Sequence, residues 1–118
     1  MGNKIVHIEI NGSNRSEIGS WYGSIFNWKI ESHEEYDFTT FGTGDGTGGG
    51  FATTEDAKPV VIPYISVDDL QATIDAILAK GGTLKEGITE MPFVTYAICV
   101  DPFGHQIGLM LDPDNARD

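Results

Sequence analysis

The sequence predicts an α+β domain built from two tandem βαβββ modules. The same order of elements occurs twice between Lys4 and Met110: one strand, one capped amphipathic helix and then several extended segments. A doubly wound parallel sheet would instead require strands and helices to alternate throughout. We expect one domain over residues 1–118, with modules at about 4–56 and 59–112 that form a curved mixed sheet around a crevice.

The first module begins with a strand at residues 5–10, followed by a helix. Asn14 precedes Glu17 by three residues, a spacing that resembles a capping box and predicts where the helix starts. Apolar residues then recur with the period of a helix, so we expect this stripe to lie on a sheet. The stripe consists of Ile18, Trp21, Tyr22, Ile25 and Phe26.

Short strands and a glycine-rich loop complete the first module. Residues 28–41 suggest two strands with a turn near residues 32–35. Gly44, Gly46 and Gly49 formally satisfy a dinucleotide-binding pattern, but that pattern must open a helix, and the β-prone segment FATTEDAKP follows instead. We therefore predict a flexible hairpin that enters a strand at residues 49–54.

The second module repeats the pattern after a linker at residues 55–59. A nearly all-apolar strand at residues 60–67 leads to a helix capped by Asp68, with Gln71 at the capping-box position. Gly81 or Gly82 is expected to end this helix. Its apolar stripe consists of Leu70, Ile74, Ile77 and Leu78. Further strands are predicted at residues 83–86, 93–100 and 105–111, and the turn DPFGH joins the last two.

Composition limits the classes of partner and the compartment. A formal charge of −11 disfavours nucleic acid, whose phosphates need a basic surface. No apolar run approaches the ~20 residues that span a membrane, and the N-terminus lacks the pattern of a secretory signal. The single cysteine, Cys99, excludes an intramolecular disulfide and fits a reducing compartment. We expect a cytoplasmic protein without nucleic-acid or membrane partners.

Four stretches of the chain carry a family resemblance: IVHIEI, WYGSIFNWKI, PYISVDDLQATIDAILAKGGTL and CVDPFGHQIGLM. Together they resemble the vicinal oxygen chelate superfamily, which includes glyoxalase I, extradiol dioxygenases and bleomycin-resistance proteins. The turn DPFGH before an apolar strand, with VDDL and KGG upstream, is the most specific part. The resemblance implies a glyoxalase-like fold over nearly the whole chain.

The same resemblance implies where metal ligands would stand. Metal-using members take His or Glu from the first and last strand of each module. Only His7 matches such a position here; the other three positions fall at Gly49 or Gly50, at Ile62 and at Gly108. One imidazole does not hold a divalent ion, because useful sites need three or more ligands. We therefore predict that the usual four-ligand site is absent and expect no cofactor, while a divalent metal bound by other ligands stays open.

Five residues are the candidates for a site that holds a small organic molecule. His7 and Glu9 share the parity of one strand and are the candidate catalytic pair. Tyr64 is added as a ligand contact, because it shares one face of a strand with Ile62, which stands at one of the family's metal-ligand positions. Tyr96 carries a polar tip within an apolar strand, and Glu90 lies in a predicted loop, GITEMPF, which would overhang the crevice.

Three functions remain open from the sequence. The first is a glyoxalase-like enzyme that transforms a small oxygenated metabolite. The second is a non-catalytic protein that sequesters a ligand or drug, as bleomycin-resistance proteins do, and the missing metal ligands and the acidic charge favour it. The third is a domain that serves only interaction or regulation. In each case we expect a homodimer, because exposed sheet edges are usefully covered by a second copy.

Overall fold

A computed structural model describes residues 2–113 of the chain. It contains two compact units, which are described separately: residues 6–62, and residues 63–113 together with residues 2–5. Each unit carries one helix and a four-stranded sheet. The predicted α+β class with two βαβββ modules is confirmed.

The first unit has its strands in the order β2-β3-β4-β1. β1 and β4 are parallel, whereas β2 with β3 and β3 with β4 are antiparallel. The elements are β1 (Ile5–Asn11), α1 (Arg15–Phe26), β2 (Lys29–His33), a 3-10 turn (Glu34–Tyr36), β3 (Phe38–Gly42) and β4 (Gly49–Phe51). The glycine-rich segment thus leads from β3 into β4 without a helix, as predicted.

The second unit repeats this order as β6-β7-β8-β5. β5 and β8 are parallel, whereas β6 with β7 and β7 with β8 are antiparallel. The elements are β5 (Val60–Val67), α2 (Leu70–Ala79), β6 (Thr83–Met91), β7 (Val94–Val100) and β8 (Gln106–Leu111). Residues before β1 belong to this unit, because Ser66 N donates to Lys4 O at 2.9 Å and Asn3 Nδ2 donates to Ser66 O at 2.8 Å.

Helix α2 covers one face of the second sheet with three residues of the predicted apolar stripe, Leu70, Ile74 and Ile77, whereas the fourth, Leu78, is 46% exposed. Leu70 and Ile74 are buried in a core that includes Cys99, and burial raises the pKa of the Cys99 thiol. The predicted cap at Asp68 is wrong by one residue: Asp69 caps the helix, and its Oδ1 accepts from Ala72 N at 3.0 Å. The helix ends at a left-handed glycine, Gly81, with φ +95°. The other core residues are Val67, Ala97 and Leu109.

Helix α1 packs on its sheet in a different way from the one predicted. Asn14 caps it as expected, but the closest approach to the sheet is made by Gly19 and Gly23, which lie beside Ile30. A methyl group at Gly23 would come within 2.8 Å of the Ile30 side chain, so the small residues set the helix-to-sheet distance. The prediction that the whole apolar stripe lies on the sheet is wrong for Trp21, Ile25 and Phe26, which are 58%, 58% and 52% exposed.

An aromatic cluster lies between α1 and its sheet. Tyr22 stacks on Trp28 at a centroid distance of 5.6 Å and reaches Phe51 at 5.7 Å. Phe41 in turn stacks on Trp28 at 4.3 Å. This cluster, rather than the outer part of the stripe, forms the apolar core of the first unit.

Within the described residues 2–113, no helix has both the length and the apolar character needed to cross a membrane.

Candidate functional site

Three polar residues of β1 lie on the sheet face turned away from α1. Phe51 contacts α1, so its neighbour Gly50 faces the opposite side of the sheet. Glu9 stands opposite Gly50 in the parallel pairing of β1 with β4, and it therefore shares that opposite side. His7 and Asn11 follow by the alternation of a strand. We call this surface the β1 polar face; it comprises His7, Glu9, Asn11, Gly50, Phe38 and Thr40.

The side chains of His7, Glu9 and Asn11 form one connected line. His7 Nε2 lies 3.6 Å from Glu9 Oε2, and the two side chains are only 20% and 16% exposed. Asn11 Nδ2 donates to Glu9 Oε1 at 3.1 Å, while Asn11 Oδ1 accepts from Ala52 N at 2.8 Å. The backbone amide of Ala52 thereby determines which end of the Asn11 amide meets the carboxylate. Asn11 holds Glu9, and Glu9 faces the imidazole.

Asn11 was not singled out from the sequence, although the signal that places it was available. It continues the alternation of His7 and Glu9 by two residues. The alternation does not reveal the hydrogen-bond partner of Asn11, the backbone amide of Ala52, which follows β4 and is 41 residues away. A buried asparagine with both ends of its amide occupied is a positioning group.

The ring of Phe38 covers Gly50 on this face. A methyl group at Gly50 would overlap the Phe38 ring and approach Thr39 O to 2.8 Å. Two residues after Phe38 in β3, Thr40 Oγ1 lies 3.0 Å from His33 Nε2. The β1 polar face therefore continues across β3 to β2, and it combines an aromatic ring with hydrogen-bonding groups.

The residues at the family's metal positions do not fit a metal. The pairing of Glu9 with Gly50 shows that Gly50, not Gly49, stands on the face of His7. In the second unit, Gly108 pairs with Tyr64, whose ring covers it as Phe38 covers Gly50. Each unit thus has a glycine and a covering ring where a ligand side chain would stand. No group of three or more His, Cys, Asp or Glu within residues 2–113 has the geometry to hold a metal ion.

The remaining candidate contacts lie in the second unit, and they separate into two faces. Tyr64 is 3% exposed, and its ring meets the edge of Tyr96 at a centroid distance of 6.2 Å. Tyr96 donates its hydroxyl proton to Glu86 Oε2 at 2.6 Å, so Glu86 is a member of this group that sequence reasoning missed. Glu90 lies in strand β6 rather than in the predicted loop, and its pairing with Thr95 places it on the opposite side from Tyr96.

A buried arginine organises the other face of the first sheet. Arg15 Nη1 donates to Thr39 Oγ1 at 2.6 Å and to Ser32 Oγ at 3.1 Å. Its Nη2 donates to Glu34 Oε2 at 3.0 Å and its Nε to Asp37 Oδ1 at 3.1 Å. The guanidinium ties the first turn of α1 to β2, β3 and the 3-10 turn between them. This is a structural role, because the group is turned toward protein partners.

These contacts change the pKa of the Glu34 carboxyl group. A hydrogen bond from Ser32 and then the charge of Arg15 lower the pKa of Glu34 below its ordinary value of 4.5. A carboxyl group whose pKa is lower in the folded state stabilises the fold above its unfolded pKa. That contribution is lost as the pH falls through the folded pKa.

We therefore expect Glu34→Gln to be less stable than the wild type at pH 7 and to lose this deficit in acid. The measurement is the urea midpoint of both proteins from pH 7 down to pH 3. Glu35→Gln is the matched control, because it removes the same charge one residue along the chain. An equal pH response of the two variants would contradict the assignment of the effect to the Arg15 contact.

A family model described as Glyoxalase/Bleomycin resistance protein/Dioxygenase superfamily matches residues 4–109. None of the curated proteins matches the sequence.

Solved structures show the same fold at low identity. Methylmalonyl-CoA epimerase from Mycobacterium tuberculosis is 14% identical, with a TM-score of 0.68, and the match covers 100% of this chain and 97% of that one. A glyoxalase/bleomycin resistance protein/dioxygenase superfamily member from Vibrio splendidus 12B01 is 10% identical, with a TM-score of 0.66 and coverage of 94% and 100%. A protein described as NAD-dependent benzaldehyde dehydrogenase from Legionella pneumophila is 18% identical, with a TM-score of 0.62 and coverage of 89% and 96%. At these identities the likeness concerns the fold alone.

Proposed function

Because this chain belongs to the Glyoxalase/Bleomycin resistance protein/Dioxygenase superfamily, we propose that it binds a small organic molecule on the β1 polar face. On that molecule it moves a proton with His7 and without a metal ion. The observation that carries this proposal is the line His7, Glu9 and Asn11, in which a positioned carboxylate faces a half-buried imidazole.

The pair is suited to proton transfer for an electrostatic reason. When the imidazole takes a proton it becomes a cation 3.6 Å from the Glu9 carboxylate. Both side chains are largely shielded from water, so the attraction between them is stronger than it would be on an open surface. Glu9 is thus placed to orient the imidazole and to face the positive charge that develops on it during a proton transfer.

The proposed step balances without any further reactant. The lone pair of the neutral His7 imidazole takes the proton of a C–H bond next to a carbonyl group of the ligand. The electron pair of that bond moves into the carbonyl and leaves an enolate. Return of a proton from His7 to the enolate carbon restores the carbonyl compound with its C–H hydrogen exchanged for one from water. When the proton arrives on the other side of the flat enolate, the configuration of that carbon is inverted; in both cases the ligand is neither oxidised nor reduced. The substrate class is therefore a small carbonyl compound with an adjacent acidic C–H.

Two features support a site without a metal. His7 and Glu9 are two donors, which is fewer than the three protein ligands of typical catalytic metal sites. The ring of Phe38 fills the space above Gly50, where a third ligand would have to enter. Phe38 instead provides an apolar surface on which the flat part of an organic ligand can lie.

A second candidate function is sequestration of a ligand without chemistry. The aromatic side chains favour it, because in each unit a ring covers the glycine at a ligand position. A formal charge of −11 would concentrate cationic ligands near the protein, an effect that salt weakens. Such a protein would bind flat cations through its rings, and His7 would only contribute a contact.

A two-stage experiment tests these proposals. In the first stage, a thermal-shift screen of small cationic, neutral and anionic molecules compares the wild type with His7→Ala, with and without a chelator. We expect hits among cationic and neutral molecules, loss of their shift in His7→Ala, and no effect of the chelator. His105→Ala is the matched control, because that imidazole is 77% exposed in the turn between β7 and β8.

In the second stage, carbonyl-containing hits are incubated with the protein in deuterated water, and NMR follows exchange of the C–H next to the carbonyl. We expect His7→Ala to slow the exchange by about 100-fold or more, the usual contribution of a general base. Binding that depends on His7 without any exchange would support sequestration and overturn the catalytic proposal. If anionic molecules bind best, or if His7→Ala leaves every hit unchanged, the site is misplaced and both proposals fail.

A further inference from the structure

Asn11 and Gly12 form the only Asn–Gly pair in the sequence, and every other asparagine precedes a residue with a side chain. An asparagine before glycine is especially prone to deamidation, because no Cβ hinders the approach of the glycine backbone nitrogen to the side-chain amide. The reaction consumes only water. The sequence therefore places a potential modification site in the residue that holds Glu9.

The reaction takes place within the chain. The backbone nitrogen of Gly12 loses its proton and attacks Cγ of Asn11; the bond from Cγ to Nδ2 breaks, and ammonia leaves with that proton. One water molecule then opens the resulting cyclic imide at either of its two carbonyl groups. The product is aspartate or isoaspartate, in which the main chain passes through Cβ, and nothing is oxidised or reduced.

Hydrogen bonds in the folded structure oppose this attack. Asn11 Nδ2 donates to Glu9 Oε1 at 3.1 Å, and Asn11 Oδ1 accepts from Ala52 N at 2.8 Å. Gly12 N donates to Ala52 O at 3.1 Å, and Gly12 O accepts from Thr54 N at 2.8 Å. Asn11 is also only 7% exposed. The side chain and the backbone nitrogen would both have to leave their partners before they could react.

This end of the sheet is held by few residues. Asn11 is the last residue of β1, and the neighbouring strand β4 has only three residues. Beyond the strands, Gly12 and Thr53 form an isolated bridge. The end of a short strand pair opens more readily than the centre of a sheet. Such an opening would free both reacting groups at once.

We propose that Asn11 is a site of spontaneous deamidation, and that the pairing of β1 with β4 protects it. The extent of modification then records how often this end of the sheet has opened. The same pairing that positions the Asn11 amide for Glu9 also keeps that amide chemically intact.

Deamidation would change the candidate site irreversibly. The nitrogen that donates to Glu9 Oε1 is replaced by an oxygen, so two carboxylates face each other and repel. Isoaspartate also lengthens the backbone of β1 and disturbs its register with β4. Either product releases Glu9 from its place beside His7. The loss of activity rests on the proposed function, whereas the chemistry at Asn11 does not.

The measurement is mass spectrometry of the tryptic peptide of residues 5–15, after incubation of the full chain at mildly alkaline pH. Fragmentation of this peptide separates Asn11 from Asn14. We expect the folded wild type to be modified at Asn11 about 100-fold or more slowly than the chain unfolded in guanidinium chloride, because the reaction must wait for an opening. Guanidinium chloride below the unfolding transition should raise the rate progressively.

Three glycine variants separate the effect of the strand pairing from that of the dipeptide. Gly49→Ala should speed the modification about 10-fold or more, since its methyl group would overlap Ile8 O and loosen β1 from β4. Gly87→Ala is the matched control in the other unit, where no atom lies within 4 Å of the added methyl group, and it should leave the rate unchanged. Gly12→Ala should slow the reaction of the unfolded chain about 10-fold, because its Cβ restricts the backbone. The guanidinium series on the wild type keeps the test decisive if Gly49→Ala does not fold.

Asn11→Asp reproduces one product and shows its effect on the fold. It should lower the urea midpoint at pH 7, because it places a second carboxylate against Glu9. Asn14→Asp is the matched control and should not lower it, because aspartate caps a helix as well as asparagine does. These results do not depend on ligand binding at the β1 polar face, so they stand even if the proposed function fails.

Equal rates in the folded and the unfolded wild type would overturn the proposal, because Asn11 would then be unprotected. Equal rates in Gly49→Ala and Gly87→Ala would exclude the pairing of β1 with β4 as the protecting element. Modification first at another asparagine would place the site elsewhere. An Asn11→Asp variant as stable as the wild type would refute the expected damage to the site.

Discussion

Replacing Gly49 by alanine is expected to lower the free energy of unfolding by about 3 kcal/mol or more, at the upper end of the range for overpacked sites. A methyl group at this position would overlap Ile8 O and lie 2.7 Å from Phe41 Cε2. The carbonyl oxygen of Ile8 belongs to the backbone of β1, which pairs with β4. It cannot rotate away as a side chain would, so the two strands would have to separate.

Urea denaturation of Gly49→Ala and of two control variants measures this effect. Gly42→Ala in β3 and Gly87→Ala in β6 add the same methyl group where no atom lies within 4 Å. These controls are expected to change stability by less than about 1 kcal/mol. The added methyl group changes only the conformational entropy of the unfolded chain and the backbone preference at that position. A similar loss in all three variants would mean that the close approach of β1 and β4 does not cause the effect.

The second large effect is expected for Arg15→Met, with a loss of about 2–3 kcal/mol. The substitution removes the donor to Thr39, whose side chain is buried at 2% exposure, and it also removes the contacts to Glu34 and Asp37. Loss of one partner from a fully buried ion pair costs about 3–5 kcal/mol. The cost here should be smaller, because the Glu34 and Asp37 side chains are 79% and 86% exposed and can be hydrated again.

Two comparisons make the Arg15 result specific. Lys29→Met removes a cation whose side chain is 80% exposed and should change stability by less than about 1 kcal/mol. Arg15→Lys keeps the charge but lacks the planar fork of donors, and it should recover only part of the loss. If Arg15→Met were no worse than Lys29→Met, the guanidinium would not be the link between α1 and the strands beneath it.

The order of elements could be predicted because its signals are local. Glycines mark the ends of segments, and the stripe of α2 reaches the core through Leu70 and Ile74 as expected. The orientation of α1 could not be predicted in the same way. Its apolar period is clear, but the side that meets the sheet is decided by Gly19 and Gly23. These glycines have no side chain to bury; they let the helix approach the sheet closely. The choice between Asp68 and Asp69 as cap likewise depends on where β5 ends.

The candidate site likewise has one part that the sequence predicts and another part that it does not. His7 and Glu9 could be placed on one side of β1 because strand alternation has a period of two. The cover of Gly50 by Phe38 and of Gly108 by Tyr64 depends on the pairing of strands that are distant in the sequence. The hydrogen bond from Tyr96 to Glu86 depends on register shifts within the pairing of β6 with β7. No pattern within a single strand contains that information.

The buried thiol in the core of the second unit gives the protein a practical property. Cys99 is the only cysteine, it is fully buried, and burial raises its pKa, so it offers little thiolate to a reagent in the folded state. A cysteine introduced at an exposed position, such as Ser20 on α1, would therefore be the single reactive thiol. The wild-type background is thus suited to site-specific attachment of spectroscopic probes without prior removal of a native cysteine. Reaction of Cys99 itself would report that the second unit has opened.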